Sequence, residues 1–399
     1  MRDVIVVGAG PGGLYASWCL ARKGFSVTVV EEHSTAGRPV HCTGILALEA
    51  FREFALPDEA ILNELKTACF YSPSGQKISY ATTGVEAVVV DRHRFDQSLC
   101  ESAQKEGVEV RLGNKVTNIS ISETHVEIQH FDETAPLRGR ACILAAGASY
   151  GLQRQMGLGL PPVRLNSAQA EMPAAPLEDV EIHFGAVVAP QGFAWVVPVR
   201  RGAESHARVG LMCEGNAALY FERLIERVRE RWELQTDGGM APRPRILPLA
   251  PIRKTYSNRL LVVGDAAGLV KPTTGGGIYY SILSAAIAAE VLSEALLKDQ
   301  LCEPALREYE TRWRRRIGSE FQAQLTLRLL AQRLTDSEIE ELFELARTDG
   351  LMPLIRRTAR FNHHYEVITA LLKYPATRKI LFRRVVSQVG PGLDRHGSS

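Results

Sequence analysis

Val4-Ile5-Val6-Val7-Gly8-Ala9-Gly10-Pro11-Gly12-Gly13 opens a pattern that runs on to Glu31. Residues 4–7 are β-branched with no polar alternation, which suits a strand buried on both faces of a parallel sheet. Gly8, Gly10 and Gly13 match GxGxxG, and Gly12 adds a fourth glycine to the turn. The glycines permit a tight turn and close approach of the backbone to a pyrophosphate. The helix that follows, Leu14 to Arg22, would meet that group with free N–H groups and a positive dipole end. Lys23-Gly24 stops the helix, and Val27 to Val30 reads as a second buried strand. Glu31 ends it, 23 residues after Gly8. An acid there is placed to accept hydrogen bonds from ribose hydroxyls and would repel a 2′-phosphate. The unit predicts a Rossmann-like dinucleotide-binding domain.

The rest of the composition narrows the class. The chain has 399 residues, enough for about two to three domains. Apolar residues make up 45% and charged residues 23%, as in an ordinary globular protein. The formal net charge of +2 gives no reason to expect a nucleic-acid partner. The seven cysteines are scattered with no CxxC, which points to reduced thiols in a cytoplasmic protein and to no metal site. The N-terminus lacks the charged and apolar regions of a signal peptide. Ile278 to Leu297 is the most apolar later stretch, but Glu290 and Glu294 interrupt it, so it reads as a buried helix rather than a membrane span.

A second strand-to-loop signal discriminates between dinucleotides. Leu261-Val262-Val263-Gly264-Asp265-Ala266-Ala267-Gly268 places an acid where it could bind the ribityl hydroxyls of a flavin. Thr273-Thr274-Gly275-Gly276-Gly277-Ile278 follows and opens a helix. Its N–H groups could face the flavin pyrimidine edge, where reduction deposits negative charge. Between the two signals, residues 85–90 read as a strand followed by a helix to about Lys105. Residues 141–145 form another buried strand. Residues 179–213 alternate like an antiparallel meander, and Pro-rich stretches at 172–176 and 242–251 mark crossings between domains. The expected fold is α/β. A Rossmann-like FAD-binding domain would take residues 1–70, 90–165 and 255–295. An inserted antiparallel-sheet substrate domain would take 71–89 and 166–254, and a C-terminal helical region 296–399.

The set GAGPGG, Glu31, DRHRFD at 91–96, AAG at 145–147 and GDAAG at 264–268 resembles the flavoprotein superfamily that includes aromatic hydroxylases. Within it, three features resemble the geranylgeranyl reductase family of FAD-dependent oxidoreductases. Pro39-Val40-His41-Cys42-Thr43-Gly44 is similar to that family's P-x-x-C-x-G loop. Lys271 to Tyr280 (KPTTGGGIYY) is similar to its flavin loop. Gly192 to Pro198 (GFAWVVP) is similar to its Y-x-W-x-F-P lipid-pocket motif, with Phe193 for Tyr and Val197 for Phe. The resemblance implies FAD as cofactor, held by Gly8, Gly10, Gly12 and Gly13 at the pyrophosphate turn and Glu31 at the ribose. It places Cys42, Thr43 and Gly44 in a loop beside the flavin and Arg92 at the phosphates. Val116 would lie near the adenine, and Asp265, Gly277 and Ile278 along the ribityl chain and ring. Trp195 and Pro198 would bind substrate. Cys42 is the candidate catalytic residue, either a thiol that orients substrate and assists protonation or a small residue that shapes the pocket.

The implied activity saturates C=C bonds of an isoprenoid chain on a lipid, quinone or related prenyl compound, with hydride from the flavin N5. A proton would arrive from Cys42, a water or a tyrosine such as Tyr279. The chain has no second GxGxxG, so electrons would come from docked NAD(P)H or from ferredoxin. Two other functions fit the same residues: an FAD-dependent monooxygenase or halogenase, and a flavin-bearing lipid-binding protein without turnover. Between residues 353 and 385 the tail carries Arg356, Arg357, Arg360, Lys373, Arg378, Lys379, Arg383 and Arg384 against one acid, Glu366. Leu371, Leu372, Ile380, Leu381 and Phe382 interleave with them, a composition suited to peripheral contact with anionic lipid.

Overall fold

In the computed structural model, Arg2–Val7 is the middle of an eight-stranded sheet, and Val4, Ile5 and Val6 have no exposed surface. Burying each such side chain stabilises the fold by about 1.5–3 kcal/mol. The strand pairs in parallel with Val27–Val30 on one side and Leu137–Leu144 on the other. Val4 therefore faces both Val27 and Ala141 in register. Glu109–Arg111 extends the sheet beyond Val27–Val30, and Leu260–Val262 extends it beyond Leu137–Leu144. The structure describes residues 1–131, 135–236, 242–348 and 350–389, with side chains of the last helix to residue 383.

Two helices cover one side of this sheet's central strands. The glycine turn leads into Pro11–Ala21, and the GDAAG turn leads into Ile278–Leu297. The helices pack closely enough that a Cβ added at Gly12 would lie 2.5 Å from Ser281 Oγ. Ile278–Leu297 is long and apolar enough to cross a membrane, yet 67% of its apolar window is buried inside the fold. It is a core helix, as its two interrupting glutamates suggest.

A seven-stranded sheet forms the second body. Its order is Arg245–Pro248, Arg164–Pro173, Glu204–Cys213, Phe193–Arg201, Val180–His183, Thr67–Tyr71 and Lys77–Ala81. The meander at 179–213 is antiparallel, as its alternation predicts. One pairing departs from the expected antiparallel sheet. Val180–His183 runs parallel to Thr67–Tyr71. More than 100 residues separate these strands, so no hairpin imposes an antiparallel turn. Residue 70, expected as a domain boundary, lies inside Thr67–Tyr71. A tight turn at Ser72–Gln76 makes that strand and Lys77–Ala81 one hairpin. A small sheet of Ile45–Ala47, Ala87–Val90 and Ile61–Leu65 joins the two bodies.

Glu303–Ala331 is a 29-residue helix, and four shorter helices follow it: Asp336–Thr348, Leu351–Thr358, Tyr365–Lys373 and Pro375–Val389. The tail is helical, but its apolar residues do not form an outer face. Ile380 and Leu381 are buried, and Leu371 and Leu381 help line an internal cavity. The arginines and lysines named above are exposed, with Arg383 paired to Glu341 at 2.7 Å. The Arg384 side chain lies outside the described residues.

Candidate functional site

The glycine turn is shaped by what its Cβ positions would meet. A Cβ on Gly13 would lie 2.0 Å from Gly8 O and 3.2 Å from the Ala145 methyl, so Gly13 packs the helix onto the strand behind the turn. A Cβ on Gly10 would meet no protein atom within 4 Å. Gly10 borders a cavity of about 2040 Å³ instead.

Among the helices that begin at this cavity, three flank the glycine loops, and their first turns differ. Asp91 caps Arg92–Lys105, accepting from the N–H groups of His93 and Arg94 at 3.0 and 3.1 Å. Neither Pro11–Ala21, preceded by Gly10, nor Ile278–Leu297, preceded by Gly277, has a side-chain cap. Their first N–H groups are therefore left for an anionic or carbonyl-bearing ligand.

Two carboxylates complete the wall. Glu31 Oε2 accepts from the Ala9 N–H at 2.7 Å and Glu31 Oε1 from the His33 N–H at 2.9 Å, which fixes the acid at the end of its strand. Asp265 is half-buried at the cavity wall, and among the described residues its carboxylate has no side-chain or backbone donor. Burial pushes it up to about 6, although the Arg92 guanidinium opposes the rise. Gly277 leaves room for it, since a Cβ there would lie 2.7 Å from Asp265 Oδ1. A half-buried acid without donors, at the edge of a cavity, suits a chain of hydroxyls. The uncapped turns, the open space at Gly10 and this acid together fit a flavin dinucleotide. Glu31→Gln should weaken flavin retention about 10- to 100-fold, the cost of losing a charge-assisted hydrogen bond. Flavin-to-protein ratio after gel filtration would check it, and full occupancy would remove Glu31 from the ribose.

The Cys42 loop crosses the middle of the cavity. Cys42 Sγ accepts from the Gly44 N–H at 3.3 Å and lies near the Arg92 guanidinium. Burial works against the Arg92 charge, but Asp96, which takes it in a fork at 2.9–3.3 Å, and Cys42 more than offset this and hold it protonated. Behind the loop, Arg208 donates to Thr43 O at 2.6 Å, to Val90 O at 3.0 Å and to Glu171 at 2.7 Å. Gly44, at φ +73°, has no room for a Cβ, which would sit 2.6 Å from Arg208 Nη1. Next to Cys42, burial and then Arg245 and Arg243 pull His41 down to about 4, so it is neutral at pH 7.

Beyond the loop the cavity becomes apolar. Phe193, Trp195 and Val197 face it from one strand, joined by Val180 and Ile182 from the neighbouring strand. Phe343, Met352, Ile355 and Leu381 close the opposite side from the C-terminal helices. The Trp195 indole packs over Gly210, where a Cβ would lie 2.7 Å from the ring. Its Nε1 donates to Gln169 Oε1 at 3.3 Å, and Thr43 Oγ1 donates to the same oxygen at 2.6 Å. Gln169 thus ties the Cys42 loop to the tryptophan. The Tyr279 hydroxyl is committed to Glu53 at 2.8 Å.

Of the site residues named from sequence, Gly8, Gly10, Gly12, Glu31, Cys42, Thr43, Gly44, Arg92, Val116, Asp265, Gly277, Ile278 and Trp195 all line this one cavity. Gly13 and Pro198 do not. Gly13 lies behind the turn, as above. Pro198 is buried three positions after Trp195 and so projects from the opposite face of its strand. Its carbonyl accepts from Asn63 Nδ2 at 3.2 Å. Gln169, Arg208 and Lys271 were not identified as site residues from sequence. Arg208 had a local signal, a lone charge inside the apolar strand 207–213. Gln169 had none, because its role depends on two distant donors. Among the described residues no cluster of three or more His, Cys, Asp or Glu side chains could hold a metal.

Comparison with known proteins agrees with this geometry. Residues 2–167 match the pyridine nucleotide-disulphide oxidoreductase family. The digeranylgeranylglycerophospholipid reductase of Methanocaldococcus jannaschii is 33% identical over 86% of this chain and 90% of its own. Digeranylgeranylglycerophospholipid reductase 2 of Methanopyrus kandleri is 30% identical over 93% and 98%. A geranylgeranyl bacteriochlorophyll reductase-like structure from Thermoplasma acidophilum superposes with a TM-score of 0.82 at 23% identity, covering 97% of this chain and 98% of that one. A flavin-dependent brominase shares the fold at a TM-score of 0.70 and 16% identity, over 97% and 98%.

Proposed function

Because this chain belongs to the family of digeranylgeranylglycerophospholipid reductases, which are FAD-dependent oxidoreductases, we propose that it saturates isolated C=C bonds in the isoprenoid chains of a prenylated lipid. One observation carries this reading. The cavity that begins at the uncapped glycine turn continues without a break into an apolar gallery walled by Trp195, Val197, Phe193 and the C-terminal helices. Such a gallery suits an extended hydrocarbon chain better than a compact polar substrate. FAD bound at the turn would supply a hydride equivalent to one alkene carbon, with a proton added to the other.

The protein's part is placement and protonation, because an unactivated alkene is a poor hydride acceptor. Trp195 and Val197 hold the chain against the flavin loop. Cys42 lies beside that contact with its sulfur held by the Gly44 N–H, and it is the side chain we assign to proton delivery. Arg208 and Gln169 keep the Cys42 loop in register with the gallery. The two electrons come from an external donor, NAD(P)H or a ferredoxin. The exposed Arg356, Arg357 and Arg360 stand at the end of the molecule where the gallery meets the tail helices. They are the surface we assign to transient contact with an anionic bilayer from the cytoplasmic side.

Mass spectrometry after anaerobic incubation with dithionite and geranylgeranyl phospholipids tests the reading. Mass gains in steps of two hydrogens are expected. Oxygen consumption coupled to product, or a bound lipid that keeps all its double bonds, would replace it with an oxygenase or a carrier. Trp195→Ala should lower turnover roughly 10- to 100-fold through misplacement of the chain, with flavin content unchanged. Unimpaired turnover would make the indole a packing residue only.

A further inference from the structure

We propose that Lys271 and Arg328 are a pair of buried cations that holds the negative charge placed on the flavin by reduction, and that they raise its reduction potential. The inference rests on the flavin site described above. It concerns the charges of two side chains: Lys271, which opens the flavin-loop motif, and Arg328, which lies outside every motif.

Lys271 is 4% exposed and lies at the base of the loop 271–277. Its own backbone closes that loop, donating to Gly276 O at 3.1 Å and accepting from the Gly275 N–H at 2.9 Å. Its Nζ donates to Asn362 Oδ1 at 2.6 Å and to Phe361 O at 3.0 Å, and it lies 4.7 Å from the Phe361 ring centre. Arg328, 6% exposed, reaches the same loop from the helix Glu303–Ala331. It donates to Pro272 O at 3.0 Å, Thr273 O at 3.4 Å and Gln191 O at 2.6 Å. Every one of these partners is neutral. Among the described residues neither cation has a carboxylate within ion-pairing distance.

The nearest acids act on Lys271 only at longer range. They are Glu320 and Glu49. Glu320 is occupied by Gln324 Nε2 at 2.9 Å and by the His364 and Tyr365 N–H groups. Glu49 accepts from Asn362 Nδ2 at 2.7 Å. His364, beside Thr273, is not a third cation, because burial and Lys271 drive it down to about 3.

Two unpaired cations buried against one loop cost several kcal/mol and are a poor device for stability. Burial drags Lys271 down to about 7 and Arg328 to about 10, the mark of charges without a counter-charge. The missing anion has an evident place. Gly275, Gly276 and Gly277 line the cavity, as Lys271 itself does, and Gly277 leads into an uncapped helix N-terminus. Taking up two electrons and one proton leaves the flavin one negative charge, and no second proton is required. That charge at the loop face would meet Lys271, Arg328 and the helix dipole together. The reduced cofactor is then bound more tightly than the oxidised one, and its potential rises accordingly.

Dye-referenced dithionite titration of the flavin-loaded protein reads this directly, without substrate. Lys271→Met removes the charge at similar volume. It is expected to lower the reduced-to-oxidised binding ratio about tenfold, which is ~30 mV for a two-electron couple. Lys271→Arg and Arg328→Lys keep the charge and should stay close to the parent potential. If Lys271→Met does not fold, Lys271→Gln carries the same expectation. Stoichiometric flavin at an unchanged potential in the charge-removing variant would overturn the proposal and leave the flavin site standing. A parent protein that takes up no flavin would overturn the flavin site and the proposal together.

Discussion

Gly8→Ala is expected to yield protein that retains no flavin and unfolds well below the parent. Gly8 sits at φ +106°, a conformation that an L-residue adopts only under strain. A Cβ there would lie 2.4 Å from Ala145 O and 2.9 Å from its carbonyl carbon. Neither backbone can give way easily. Gly8 N–H donates to Val30 O at 2.8 Å, and Ala145 N–H donates to Val7 O at 2.8 Å, so both segments are tied into the central sheet. Strain of about 1–2 kcal/mol and overpacking of about 1–3 kcal/mol add to a large fraction of a marginal stability. Gly10→Ala is the informative partner, because its Cβ would meet no protein atom. It should fold normally and lose flavin by blocking the approach of the pyrophosphate. Thermal unfolding and flavin content of the two variants separate packing from cofactor contact. A flavin-replete Gly8→Ala protein with an unshifted midpoint would contradict the packing account.

Asp265→Asn should act in opposite directions on stability and on cofactor binding. The folded, flavin-free protein holds the Asp265 proton up to about pH 6, against an ordinary value of 3.8. Between those values the native state binds more protons than the unfolded chain. Stability of the flavin-free protein therefore falls as pH rises through that window, and the loss is complete above about pH 6. Roughly 3 kcal/mol is at stake, from a shift of about two pH decades at 1.36 kcal/mol each. Asparagine carries no charge to desolvate. Urea denaturation of the flavin-free variant should show that gain at pH 8 and none at pH 3.5. The same substitution replaces a charged acceptor for the ribityl hydroxyls with a neutral one, so flavin should bind about 10- to 100-fold more weakly. Parallel pH profiles for variant and parent would mean that Asp265 is not the group that desolvation penalises.

The glycine turn, Glu31, Asp265 and the loop at 273–278 are legible because each is a short local pattern with one physical purpose. A buried β-branched strand, a turn without side chains and a helix start announce themselves within about 30 residues of sequence. Family resemblance extended that reading to the Cys42 loop and to Trp195. What the sequence by itself determined is thus a Rossmann-like unit with flavin-type loops, an inserted meander and a helical tail.

Tertiary structure decided the rest, because it depends on pairings between distant segments. The face of Pro198 follows from the register of a strand against its neighbours, which places Trp195 toward the cavity and the proline away from it. The parallel pairing of Val180–His183 with Thr67–Tyr71 joins segments that no local rule connects. The tail reads in sequence as basic residues mixed with apolar anchors. Folded, its Ile380 and Leu381 turn inward, leaving the charge outside and an apolar wall within. Lys271 is an unremarkable lysine beside a glycine loop until the chain returns some 90 residues later to place Phe361 and Asn362 around its amine. Burial converts it from a solvated charge into a desolvated one, and only the fold performs that burial.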